Sequence, residues 1–166
     1  MRSKLINISV KRDSISILLF LMILLCLGAC SPKHSSYSDF VEIGGDGWNR
    51  NKPCEFVPQF GDSTILYEVK VAVCYEHDYP YRNMSLIVDF LNNDSLLRRT
   101  NLNMVITDEY GNSQNPGFGI AYQKECLLEE CIQVGKVDKI MVWHGLDCDT
   151  LNSVTRIGVT LSPVKQ

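Results

Sequence analysis

The sequence predicts an all-β fold, an antiparallel β-sandwich of about seven to eight strands, on three observations. Apolar residues recur with a period of two almost wherever they recur, and turn-forming clusters break that alternation at short intervals. One stretch alone, Lys124 to Val134, offers a helical spacing instead, with Leu127, Cys131 and Val134 at i, i+4 and i+7. Alternation places successive side chains on opposite faces of a strand, and short strands at this spacing build a sandwich.

The first thirty residues stand apart. Arg2, Lys4, Lys11 and Arg12 precede an unbroken apolar run from Ile17 to Leu27, which small residues follow. The run is short of the about 20 residues a membrane-spanning helix needs, and its order of charge, apolar core and small residues is that of a cleaved export signal. Leu27-Gly28-Ala29-Cys30 resembles the lipobox of bacterial lipoproteins; Cys26, behind bulky Leu25, does not fit. The expected product begins at Cys30, whose sulfur carries a diacylglyceryl group and whose freed amine is open to a further acyl chain such as palmitate. Two or three chains anchor durably, since each buried methylene contributes about 0.8 kcal/mol. Residues 1–29 are thus read as a lipoprotein signal peptide, 30–39 as lipidated Cys30 with a polar tether of at most ~35 Å, and 40–166 as the sandwich.

Within the sandwich, Cys54 to Phe60 is the first expected strand. From Ile65 to Tyr75 every odd position is apolar, Ile65, Tyr67, Val69, Val71, Val73 and Tyr75, while Glu68, Lys70 and Glu76 hold the other parity. That is a long half-buried strand, with Cys74 facing away from the apolar row. A second carries Met84, Leu86, Val88 and Phe90 on one face and stops at Asn92-Asn93-Asp94-Ser95, a turn signal. Leu102 to Ile106, Phe118 to Tyr122, Val137 to Trp143 and Thr155 to Leu161 complete the set, the last alternating Ile157, Val159 and Leu161 against Arg156 and Thr160.

Charge narrows the classes of function. Four of the 16 Lys/Arg and one of the 19 Asp/Glu precede Cys30, leaving 12 against 18, a net charge of −6. With no basic patch to offset it, nucleic acid is excluded as an expected partner. After the lipobox come Cys54, Cys74, Cys126, Cys131 and Cys148, an odd set, so at least one thiol has no partner within the chain; one disulfide and free thiols stand as alternatives. Cys126 and Cys131, separated by four residues with no second close pair, make no zinc pattern with His77, His144 or Cys148, and no metal or cofactor is expected.

Catalytic signatures are missing: there is no G-x-S-x-G elbow, no H-E-x-x-H and no phosphate-binding glycine loop. Gly117-Phe118-Gly119 lacks a third glycine. Asp147-Cys148-Asp149 and Asp108-Glu109 are carboxylate pairs in expected loops, where calcium binding competes with plain solvation. His144, beside Trp143 at a strand end, lacks an identifiable partner for base chemistry. A non-enzymatic role follows.

What stands out is the run His77-Asp78-Tyr79-Pro80-Tyr81-Arg82-Asn83, which joins the two best strands through an aromatic turn. Tyrosines with an apolar face and a polar tip suit recognition surfaces, so His77, Asp78, Tyr79, Pro80, Tyr81 and Asn83 form a candidate partner loop; the alternative is that the tyrosines pack under the rim, with Pro80, cis or trans, setting the turn.

The run H-D-Y-P-Y-R-N-M, His77 to Met84, resembles the N-D-Y-P-Y-x-N-L signature of the gliding-motility lipoprotein GldH family of Bacteroidota. Gly47-Trp48-Asn49, Leu86 to Phe90, Asp108 to Gly111 ahead of Gly117-Phe118-Gly119, and Ile157-Gly158-Val159 follow in the family's order. Two departures are His77 for asparagine and Trp143-His144-Gly145 in place of a methionine-arginine pair. The resemblance implies a lipoprotein that supports gliding and the associated type IX secretion apparatus, or a related envelope assembly, through protein partners and without chemistry of its own. Ser31 rather than Asp after Cys30, and no acidic cluster there, resemble the sorting pattern for the periplasmic face of the outer membrane. The rival reading is a glycan- or peptide-binding sandwich using Trp48, Trp143, Tyr79 and Tyr81. Asp62-Ser63-Thr64, Asp94-Ser95-Leu96 and Asp149-Thr150-Leu151 also resemble the three-residue O-glycosylation acceptor of Bacteroidota.

Overall fold

In the computed structural model the described residues are 35–60, 64–110, 112, 117–118, 121–128 and 131–164. The expected signal peptide, Cys30 and the tether as far as His34 lie outside them, as do Asp62, Ser63, Gly111 and Gly119. Strands are β1 (Tyr37–Glu42), β2 (Trp48–Asn49), β3 (Cys54–Phe56), β4 (Leu66–Glu76), β5 (Asn83–Asn92), β6 (Ser95–Val105), β7 (Gly117–Phe118), β8 (Ala121–Leu127), β9 (Ile132–Gln133), β10 (Lys139–His144), β11 (Thr150–Leu151) and β12 (Val154–Pro163). The fold is all-β, and every pairing is antiparallel. Sheet I has the order β1-β12-β4-β8-β7, with β9 on the lower end of β4; sheet II is β3-β10-β5-β6; β2 and β11 form a small ribbon.

Alternation dictates which residues fill the space between the sheets. Sheet I sends in Tyr67, Val69, Val71, Val73 and Tyr75 from β4 with Ile157, Val159 and Leu161 from β12. Sheet II answers with Met84, Leu86, Val88 and Phe90 from β5, Ile140 and Val142 from β10, Met104 and Phe56. Each fully buried aliphatic or aromatic side chain of this set contributes roughly 1.5–3 kcal/mol relative to exposure. The Asn92-Asn93-Asp94-Ser95 signal is a two-residue hairpin in which Asn93 (φ 48) and Asp94 (φ 60) both adopt positive φ, and Asn92 pairs Ser95. That is the type I′ geometry whose twist matches the flanking strands.

Several expectations are corrected. Tyr37, Ser38 and Asp39 belong to β1, paired with Leu161, Thr160 and Val159, so the chain is held three residues inside the expected tether. The stretch from Lys124 is no α-helix in its described residues: β8 runs to Leu127, β9 pairs with Leu66 and Tyr67, and a 3-10 turn spans Val134–Lys136. Its apolar residues serve different contacts, Leu128 and Val134 entering the core while Leu127 is exposed. The strand at Leu102 begins at Ser95, and that at Cys54 stops at Phe56. All five described cysteines are free thiols.

Cys74 does face away from the apolar row, yet it is buried. On the outer face of sheet I it pairs across with Gln123 and Arg156, and its thiol donates to Gln123 Oε1 at 3.7 Å. One row along, Phe40, Gly158 and Ala72 are in register, and a Cβ at Gly158 would collide with the Phe40 ring, over which Arg156 lies at 5.5 Å. Glycine there lets an aromatic ring lie flat on the sheet and cover Ala72.

Candidate interaction site

Register fixes the ends of the sandwich. Tyr37, where the chain enters, pairs with Leu161, which pairs with Val69. Glu76, at the other end of β4, lies about seven residues or ~23 Å further along. The turn that follows is therefore at the end of the domain away from chain entry, the distal end. Meeting it there are the segments after β1, β6 and β10.

The turn is built around one residue. Tyr79 N–H donates to Glu76 O at 3.2 Å, and the ring folds between the sheets. Tyr79 is only 7% exposed. Its hydroxyl donates to Asn83 O at 3.0 Å, and burial pushes its pKa well above the usual phenol value. Around it runs a file of rings: Tyr122 stacks on Tyr75 at 5.7 Å, Tyr75 meets Tyr79 edge-on at 5.7 Å, and Tyr79 meets Tyr81 edge-on at 5.8 Å. Edge-to-face pairs at such separations are attractive beyond the area they bury. The file starts at sheet I and ends at Tyr81, 40% exposed. His77, Asp78, Pro80, Arg82 and Asn83 are exposed beside it.

Of the six loop residues read from the sequence, Tyr79 is thus a support and the other five form the surface. Pro80 is trans, as no described peptide bond is cis. Arg82 adds a backbone anchor: its carbonyl accepts from Ile106 N at 2.8 Å and Thr107 N at 3.3 Å, tying the turn to the segment after β6. Sequence reasoning did not place Cys148 here. Its thiol is in hydrogen-bond contact with the Tyr81 hydroxyl, which raises the Tyr81 pKa. No local pattern signals that contact, since the two residues come from loops of different sheet pairs.

Beneath the tip, Gly47-Trp48-Asn49 has a structural purpose. Gly47 has φ 80, and a Cβ there would meet Asn152 Oδ1 at 2.5 Å, so only glycine brings β2 against β11. Trp48 is buried, its Nε1 donates to Lys52 O at 3.0 Å, and its ring meets His144 edge-on at 5.3 Å. His144 is 3% exposed, and neither ring nitrogen has a hydrogen-bond partner among the described residues. Desolvation lowers its pKa. It is a core residue beside the tip.

The remaining candidates do not converge. Asp108 spends its carboxylate on the N–H groups of Tyr110 and Asn112, an Asx-type loop closure. Asp147 lies 3.8 Å from Arg50. No three potential metal donors come together among the described residues. Trp48 and Tyr79 are core, Trp143 is half-buried on the outer face of sheet II, and Tyr81 is at the tip, so these four aromatics form no row for a sugar. Burial pushes the Cys54 thiol up to about 12, which makes it inert packing.

No curated protein matches the chain. The family described as GldH lipoprotein matches residues 35–161, from just before β1 almost to the end of β12.

Proposed function

Because the chain belongs to the GldH lipoprotein family, a family of gliding-motility lipoproteins anchored at the cell envelope, we propose that it is a non-enzymatic scaffold of the gliding and type IX secretion machinery, or of a related envelope assembly. In this reading Cys30 carries the lipid in the outer membrane, facing the periplasm. The rigid sandwich holds the turn 77–83 out to a protein partner. The observation that carries it is the polarity of the domain: chain entry at Tyr37 lies level with Val69, while the exposed residues Tyr81, Asp78 and His77 lie beyond Glu76. A short tether makes that polarity useful, since ~25 Å of chain leaves the tip to be positioned by the sandwich rather than by the linker.

The test is photo-crosslinking in intact cells from Asp78 and Tyr81, with Val57, beyond the end of β3, as control. Adducts with envelope proteins at the distal positions only, and loss of secretion or motility when Tyr81 and Asp78 are both changed to alanine, are expected. Monomer alone at every position, with an unchanged envelope in a deletion strain, would sink the scaffold. Mass spectrometry of Cys30 and of a Cys30→Ser variant settles the anchor.

A further inference from the structure

Among the described residues the sandwich is open along one side. β6 is the last strand of sheet II, and its only pairing among the described residues is with β5. Facing it across the gap is β8, whose outer neighbour β7 covers, among the described residues, only Ala121 and Tyr122. Between these edges runs a cleft. Its lower part, about 520 Å³, is lined by β6 from Arg98 to Asn103 and by Cys126, Leu127 and Leu128. Its upper part, about 370 Å³, is lined by Val105, Ile106, Arg82 and Lys124.

An open edge is a row of unpaired N–H and C=O groups, and proteins usually blunt it. Here the lower end is blunted: the register shifts between Phe90 and Leu91, and Arg98 points inward over the Phe90 ring at 5.7 Å with its Nε on Thr100 Oγ1. Among the described residues no such device guards Thr100 to Val105, and Val105 is 54% exposed. Opposite that stretch stands Lys124, in register with inward-facing Val73 and half-buried, with no ion pair or hydrogen bond to another described residue. The carboxylates near it, Asp108 and Glu109, sit on the upper rim, and Asp108 is engaged with its own loop. A cation partly withdrawn from water calls for a counter-charge.

We propose that this cleft is a strand-docking site for an extended, carboxylate-bearing segment of another polypeptide. The segment's backbone adds to sheet II along Thr100–Val105, and its carboxylate meets Lys124. The edge supplies the backbone pairing that any strand satisfies, and the lysine supplies the selection by charge. This surface is on the side of the sandwich and shares Arg82, but neither Tyr79 nor Tyr81, with the distal turn.

The test titrates the full-length protein in detergent micelles with fluorescent peptides of about ten residues, alternating valine and threonine, with one glutamate or one lysine at each position in turn. At least one glutamate peptide binds, at least about tenfold more tightly than its lysine counterpart. Lys124→Glu inverts that order, Lys124→Gln flattens it, and backbone N-methylation of the peptide abolishes binding. Thermal melts confirm that each variant is folded, and should Lys124→Glu unfold, Lys124→Gln carries the comparison. Tyr81→Ala leaves binding unchanged, which separates this site from the distal turn. The proposal is overturned by no binding from any peptide, by a charge preference that Lys124→Gln leaves intact, by binding that survives N-methylation, or by sedimentation showing a dimer whose β6 amides are already protected.

Discussion

The two sheets share a core and differ in what lies outside it. Sheet I is covered on both faces at its centre. Along β4, Val71, Ala72, Val73, Cys74 and Tyr75 are all buried in succession, the odd residues by sheet II and the even ones by Phe40, Arg156 and Gln123. Sheet II packs against another sheet on one face only, and on its outer face the buried Asp89 is held by Arg99 through Nε and Nη2, each at 2.7 Å. Its last strand, β6, has the same 11 residues as β4 but only Met104 fully buried. The lesson is that stability and availability are divided between strands of equal length: β4 is built to hold, and β6 is built to be reached.

The sharpest test of that division places one charge on each strand. Val71→Asp buries a carboxylate with no partner at a position 0% exposed, and is expected to cost upwards of ~4 kcal/mol and leave no cooperative unfolding transition. Asn101→Asp on exposed β6 is expected to stay within ~0.5 kcal/mol of the parent in urea denaturation. Equal losses would mean that β6 is as much a part of the core as β4.

The outer cover of sheet I is tested next. Gly158→Val drives a side chain into the Phe40 ring, and a loss of ~1–3 kcal/mol is expected. Adding Phe40→Ala relieves the collision, so the double variant is more stable than Gly158→Val alone. A double-mutant cycle in urea showing simple additivity would mean that the ring does not lie on the glycine. Where the sheets meet at the distal end, Tyr79→Phe keeps the ring and deletes the bond to Asn83 O, for a loss of ~1 kcal/mol. Tyr81→Phe, at the exposed end of the same file, leaves the denaturation midpoint where it was while testing the contact with Cys148.

This division also explains what was legible in the sequence. β4 was read to within a residue at each end because the odd positions were apolar; the burial of Ala72 and Cys74 was not, because it depends on Phe40 arriving from β1 and on Arg156 and Gln123 from the neighbouring strands. β6 was half missed because its inward positions read Arg98, Thr100, Leu102 and Met104, and an edge strand has no need of an apolar row. The first half of β1, Tyr37 to Asp39, was taken for tether since Ser35, Ser36 and Ser38 make the run polar, whereas its pairing with β12 rests on backbone groups any residue carries. Lys124 to Val134 imitates a helix only until β8 and β9 are seen to claim its two ends. At the tip, the turn itself followed from local sequence, while whether Tyr79 and Tyr81 face solvent or pack under the rim was left open by it. The burial of Tyr79 and the approach of Cys148 are products of tertiary packing, and so is the cleft, since no spacing along a chain reports that two edges face one another.

The smallest expected effect lies at the distal end of sheet II and depends on pH. His144 is buried against Trp48 with its nitrogens unpartnered among the described residues, and desolvation holds its pKa below the ordinary imidazole value near 6.5. The unfolded chain therefore takes up a proton at His144 more readily than the folded one. Stability is full above about pH 6.5 and declines as pH falls through that value toward the depressed folded one, because ΔG of unfolding rises with pH wherever the unfolded state binds more protons. His144→Leu removes the group that titrates. The urea midpoint of the parent should thus drop between pH 7.5 and 5.5 by more than that of the variant, and a variant that loses as much as the parent over this interval would place the pH sensitivity elsewhere. Since Trp48 and the β2–β11 ribbon rest on this ring, the first amides to lose exchange protection on acidification should be those of Trp48, Asn49 and Leu151, ahead of any on β4.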